Sequence, residues 1–403
     1  MKHRSKIRRR REGLARRATC GACVLALLAV QAAPPVLAGP PEQAKRIYSR
    51  IAGVPPSPAD IANMVSLIGN PATPSGLVAA AAYATNAPSF YNVTLKEFIN
   101  PWTNRDQSAF VPLNDYTATV IGMVRDDVPF NTVLSANILY VFNVSGLPAP
   151  SPGGNDHYAQ AEAQAIDMSD KSKFVQTTQS AEYGLPVQAT AGVWTTQAGA
   201  QAYFINGTNR AQFRFTMLNY LCHDMQTVMD NTRPTDRIRQ DVARSPGGDS
   251  RVFLNNCAGC HSGMDPMAQA FAYYDFNTTT NQLVYTQGQV QPKYLKNSQN
   301  FTWGFITPDD TWSNRWRTGP NADLGWSQAL PGSGEGAKSL GQELEGTEAF
   351  ANCQVVKVFQ TVCLRAPTSS DQTTITSIEN IFKQSSYDLK QVFQQSAAAC
   401  AGS

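Results

Sequence analysis

Five consecutive residues, Cys257-Ala258-Gly259-Cys260-His261, constrain this chain more than any other stretch of its sequence. Side chains three and four apart share a helix face, so two thiols and an imidazole at this spacing project together from one helical turn. Thiols so placed can form thioethers with the two vinyl groups of a haem while the next residue reaches the iron. The pattern therefore predicts one covalently attached haem c, with Cys257 and Cys260 as attachment residues and His261 as an axial ligand. The other ring nitrogen of His261 would donate to a backbone carbonyl, that of Pro266 or a neighbour.

Three plainer readings compete with this one. A zinc ribbon needs a second close pair of ligands, whereas Cys353 and Cys363 have nine residues between them and no His beside them. A thiol redox motif belongs near a βαβ pattern, which the sequence lacks. A structural disulfide between Cys257 and Cys260 leaves His261 unexplained, although His is scarce, with 4 in the chain.

The N-terminus predicts export. Residues 1–38 carry nine of the chain's 33 Lys and Arg residues and one of its 30 acids, Glu12. An apolar stretch around Val24 to Val30 follows, and Val36-Leu37-Ala38 offers small residues for cleavage, as in a signal peptide for the general secretory route. Without this segment 24 bases face 29 acids, a net charge of about −5. The basicity thus belongs to the export signal, and no basic stripe points to nucleic acid. The apolar run is broken by Gln31, Pro34 and Pro35 and is too short for a membrane span, so the mature chain is read as unanchored, in the periplasm or secreted. In such a compartment disulfides persist. Cys222, Cys353, Cys363 and Cys400 allow three pairings, of which Cys363 with Cys400 is preferred because it would tie down a C-terminal helix.

Periodicity predicts a mainly α protein in two domains. Residues 39–146 read as a small helical domain, with helices at Glu42 to Ile51, after Ser57 or Asp60, and at Tyr116 to Arg125. Pro148, Pro150, Pro152, Gly153 and Gly154 mark a boundary, so 147–190 reads as linker and irregular chain. Residues 191–403 read as a cytochrome c-like helical domain with long irregular loops and a short β-hairpin within Gln282 to Tyr294. Its helices are expected at Asn209 to Met229, Leu340 to Leu364 and Ile375 to Ala397.

The second axial ligand has to come from upstream, because no Met follows Met267 and Met264 and Met267 lie too close to His261. The apolar face of the Asn209–Met229 helix is the natural supplier: Met225 first, Met217 second, with His223 as a further alternative on another face. Methionines at helical spacing are more often core filler. His157, after Asn155-Asp156, reads as a surface loop residue.

Several segments resemble the multidomain cytochrome-like proteins abundant in planctomycetes. Arg50-Ile51-Ala52-Gly53-Val54-Pro55-Pro56-Ser57 resembles their R-L-T-G-x-P-P-T segment, and Leu113 to Leu134 resembles the one after it. Ala191-Gly192-Val193-Trp194-Thr195 resembles A-G-L-L-T, with Trp194 in place of Leu. Thr208 to Cys222 resembles a helix ending in L-L-C, here followed by His223. Cys257 to Met267 resembles C-x-x-C-H-x-x-x-D-P, with Asp265 and Pro266 in register. The resemblance covers about half of the mature chain and implies a periplasmic or surface haem protein, without a defined substrate.

Three functions follow as expectations. The first is electron transfer with redox partner proteins, which needs only the haem motif. The second is a peroxidase- or oxygenase-like haem enzyme with an open iron position, motivated by the missing downstream ligand and by Trp303, Trp312, Trp316 and Trp326. The third is a haem-bearing docking module of a larger surface redox complex. Oligomeric state is not legible, and whether the chain is a catalyst stays open.

Overall fold

The computed structural model describes residues 38–239, 250–294 and 305–402; residues 1–37 of the expected signal peptide and Trp303 lie outside them. Short polar caps and prolines start the first helices. Helix α1 (Pro40–Ala52) ends at Gly53, whose positive φ lets its N–H return to the Ser49 carbonyl. Helix α2 (Pro58–Ile68) opens with a capping box in which Ser57 and Asp60 satisfy each other's backbone N–H groups. Helix α3 (Pro74–Ala84) is capped by Thr73.

The chain continues through α4 (Asp115–Arg125), β1 (Leu139–Phe142), α5 (Asp156–Ala163), β2 (Phe174–Thr177) and α6 (Gln197–Tyr203). Then come α7 (Arg210–Tyr220), α8 (Ser250–Asn256), α9 (Ala258–Ala268), β3 (Tyr274–Asn277) and β4 (Gln282–Tyr285). The last elements are β5 (Thr311–Ser313), β6 (Ser333–Glu335), α10 (Gly336–Glu345), α11 (Glu348–Cys363), α12 (Gln372–Gln384) and α13 (Leu389–Ala399). The fold is mainly α, and the described strands form antiparallel two-stranded ribbons, β1–β2, β3–β4 and β5–β6.

From Ala38 onward the chain is one compact unit rather than two bodies divided at 147–190. The reason is how the two ends of the chain pack. Helices α1 and α3 lie on α13, which also packs on α11 and α12. Arg46 and Arg50 of α1 donate to the carbonyls of Ala401 and Cys400. Nor does 147–190 behave as a linker. It contributes α5 and β2, and β2 pairs with β1, Phe142 opposite Phe174. Across it, the fully buried carboxylate of Asp115 accepts from the backbone N–H groups of Gln197 (2.5 Å) and Ala198 (3.0 Å) and from the Tyr183 hydroxyl (2.9 Å).

Several expected elements are shorter because local breaks intervene. The stretch expected as one helix from 340 to 364 is α10 and α11, separated at Gly346-Thr347, where Thr347 caps α11. Likewise 375–397 is α12 and α13, interrupted by Ser386 and Tyr387 at positive φ. The hairpin pairs 282–285 with the upstream residues 274–277, not with residues further along.

Both disulfides join distant elements. Cys363 bonds Cys400, fastening α13 to α11 as preferred from sequence, and Cys222 bonds Cys353, with Cα–Cα distances of 5.6 and 5.3 Å.

Candidate cofactor site

Cys257 closes α8 and opens α9: its N–H donates to the Phe253 carbonyl (2.9 Å) and its own carbonyl accepts from the His261 N–H (3.1 Å). Cys257, Cys260, His261 and Met264 stand at i, i+3, i+4 and i+7, one face of a helix, and all four line a cavity of about 550 Å3. That size lies within the ordinary range of cofactor sites, about 300–1,000 Å3. The opposite face of α9 is packed tightly. A Cβ on Gly263 would sit 1.8 Å from the Trp316 indole nitrogen, and one on Gly259 would sit 2.6 Å from Asn231 Oδ1. The glycines let α9 press against its neighbours, which turns the thiols and the imidazole toward the cavity.

The facing wall comes from α7, but from its other side than periodicity suggested. Arg210, Ala211, Arg214 and Phe215 line the cavity. The apolar stripe, with Phe213, Met217 and Tyr220, is turned about a third of a revolution away into the core, where Phe213 meets Trp316 edge-on. Met217 is therefore core filler, and the structure does not bring it to the cavity.

The helix expected to run to Met229 ends at Tyr220. Cys222 adopts a left-handed φ of 58°, bonded to Cys353, and the chain re-enters a single 3-10 turn at Met225–Val228. The angular relation expected between His223 and Met225 along one continuous helix thus does not exist. Met225 lines the cavity, with its carbonyl 3.3 Å from Cys260 Sγ. His223 is not among the described lining residues; its Nδ1 lies 3.3 Å from Thr227 Oγ1. Arg214 holds this turn by a two-pronged pair with Asp224, at 2.8 Å in each prong, and Asp224 caps Met225.

The His261 ring meets a carboxylate instead of the backbone carbonyl expected near Pro266. Its Nδ1 lies 3.1 Å from Asp265 Oδ1, one helical turn on. Asp265 is buried and also paired with Arg210, Nε to Oδ1 at 2.8 Å and Nη2 to Oδ2 at 2.7 Å, while the Arg239 N–H reaches Oδ2 at 3.2 Å. Burial opposes its ionisation, but the guanidinium charges of Arg210 and Arg239 hold its carboxyl well below the usual range. An acceptor carboxylate at Nδ1 favours the neutral tautomer with its proton there, the form that offers Nε2 as a ligand. The step from His261 to Asp265 is an i, i+4 relation visible in the sequence; the arrival of Arg210, 55 residues upstream, is not.

Among the described residues Cys257 and Cys260 are the free cysteines. Burial, then the neighbouring Cys257 and Asp224, pushes the Cys260 thiol up, the reverse of what activates a redox-exchanging thiol. No group of three or more His, Cys, Asp or Glu side chains among the described residues is placed to hold a metal ion.

No protein-family model, curated protein or solved structure matches the chain.

Other residues singled out in the sequence have structural duties. Trp316 is fully buried against Gly263, Trp312 donates to Ser339 Oγ (2.7 Å), and Trp326 donates to the Asn321 carbonyl (2.9 Å), so these three indoles pack and cap. His157 is 2% exposed rather than on the surface. Its Nε2 accepts from the Phe142 N–H (2.9 Å) and its Nδ1 faces the Pro148 carbonyl (2.7 Å), clamping the proline-rich turn to β1. Among the described residues no helix is long and apolar enough to cross a membrane.

Proposed function

We propose that this chain is an exported mono-haem c-type cytochrome that acts in electron transfer with redox partner proteins. The observation that supports it best is the single helix face carrying two free thiols and an imidazole, whose outer nitrogen is already engaged, against a cavity of cofactor size. Cys257 and Cys260 would hold haem c through thioethers, and His261 Nε2 would ligate its iron. Arg105, at the rim, spends its hydrogen bonds on the neutral carbonyls of Ala202 and Ile205 and keeps a charge suited to a propionate carboxylate. Once bound, the haem supplies a one-electron Fe(III)/Fe(II) couple.

The chain's own residues then set the conditions. Phe215, Ala211 and Met264 provide an apolar wall that excludes water, and Met225 presents the thioether best placed to be the distal ligand. The resemblance to planctomycete-type multidomain cytochromes agrees with this reading, as do the two disulfides with an oxidising compartment.

Expression with a c-type haem maturation system tests the proposal. Denatured mature protein should carry one haem mass and give a pyridine haemochrome, and Cys257→Ser with Cys260→Ser should carry none. An unmodified mass in the wild type rejects it.

A second reading, a haem enzyme with an open iron position, draws on one observation: apart from Met225 and Met264, the described cavity wall offers no further sulfur or imidazole ligand beyond the motif itself. Rapid carbon monoxide binding to the reduced protein without displacement of a sulfur ligand would favour it; a six-coordinate reduced spectrum excludes it.

A further inference from the structure

We propose that Asp265 is the positioning residue that sets the donor strength of His261, its fixed carboxylate taking the Nδ1 proton's hydrogen bond and making Nε2 a stronger ligand than a carbonyl-bonded imidazole. This rests on the haem reading of the site.

Three features of the geometry carry it. Asp265 faces His261 at 3.1 Å from one helical turn away, so the backbone of α9 sets their separation. Both carboxylate oxygens are also engaged by Arg210, and Oδ2 by the backbone N–H of Arg239, which holds the group in place. Arg210 belongs to the cavity-lining face of α7, which locks the two walls of the site to the same carboxylate.

A plain anchor between α7 and α9 would need only the Arg210–Asp265 pair. The additional contact to the imidazole places a negative charge behind the ligand. Hydrogen bonding to a carboxylate raises imidazole basicity and fixes the ring's tautomer. Reduction of a bound haem would add one electron to Fe(III), taken from a partner protein or a chemical reductant, and would break no bond and move no proton. Negative charge behind the ligand favours the ferric side of that couple. Arg210 tempers the effect, since its Nε shares Oδ1 with the ring at 2.8 Å, but the imidazole keeps its own 3.1 Å contact to that oxygen.

The test uses holoprotein with covalent haem verified by mass. Asp265→Asn keeps the shape but loses the charge. Its equilibrium constant for reduction should shift toward the ferrous form by tenfold or more, a rise of about 59 mV for a one-electron couple. Its iron–histidine stretching band, recorded on the ferrous protein after carbon monoxide photolysis, should move to lower frequency. Unchanged potential and band with haem attached overturn the role of Asp265.

The wild type offers an independent measurement should the variant not fold. Its iron–histidine band should lie above that of ferrous haem bearing free 2-methylimidazole in water, and a band at or below that reference also overturns the proposal. Absence of covalent haem in the wild type would instead reject the haem reading itself.

Discussion

Cys222 is bonded to Cys353 across 131 residues of chain, and this bond, together with the left-handed backbone at Cys222, decides which side chains reach the cavity. It stops α7 and swings the next turn so that Met225 faces Cys260 while His223 turns aside. Replacing both cysteines by Ser should lower stability by about 5 kcal/mol on the loop-entropy model, against about 4 kcal/mol for Cys363 and Cys400. Denaturant midpoints measure the ranking. Only the first pair should also reduce haem incorporation, since only it fixes the chain three residues before the cavity-lining Met225; equal incorporation in both double variants would contradict this.

Met225 and Met217 should behave differently in the holoprotein. Met225→Ala should change the spectrum of the reduced form and speed carbon monoxide binding, because the variant lacks the thioether that borders the cavity. Met217→Ala should leave the spectrum alone and cost about 2–5 kcal/mol, the ordinary loss for a buried side chain of this size. His223→Ala should do neither. A spectral change in the Met217 or His223 variant alone would reassign the ligand.

His157 makes stability depend on pH in a definite direction. Burial pushes its pKa down, with the Pro148 carbonyl opposing, so the folded state resists a proton that the unfolded chain accepts near 6.5. Its contribution is therefore fully present above 6.5 and declines as pH falls toward the folded-state value. His157→Leu should be about 1–3 kcal/mol less stable at neutral pH, because the Phe142 N–H and Pro148 carbonyl lose their partner. The gap between the two proteins should narrow on acidification; a gap that widens would refute this account.

Glu345 shows the opposite sign. Burial raises its pKa well above 4.5, while hydrogen bonds from Ser135 and the Leu134 N–H work the other way. The folded state keeps a proton that the unfolded chain releases, so wild-type stability falls as pH rises above 4.5. Glu345→Gln should therefore gain on the wild type by up to about 1.4 kcal/mol per pH unit until the folded-state value is passed. Parallel stability curves for the two proteins would rule this out.

How legible each feature was in the sequence follows from the range of the interactions that create it. The helices expected from Glu42, after Ser57 or Asp60, and from Tyr116 begin at Pro40, Pro58 and Asp115, and they could be read because caps and prolines act within a few residues. The cavity-facing set Cys257, Cys260 and His261 could be read for the same reason, and the same periodicity already contained Met264 and Asp265. The break at Cys222 was not legible, since apolar spacing continues through it and its bond to Cys353 comes from 131 residues away; at Gly346 the same spacing masked a local signal, the Thr347 cap.

What the sequence determined by itself is the local chemistry: a mainly helical chain with two thiols and an imidazole on a single turn. Tertiary structure alone decided that the proline-rich segment is pinned inside one body, that α7 offers its arginine side to the cavity, and that Arg210 and Arg239 converge on Asp265. Those outcomes depend on which faces are buried together and on charges brought into contact from distant segments, and no spacing rule within one segment carries that information.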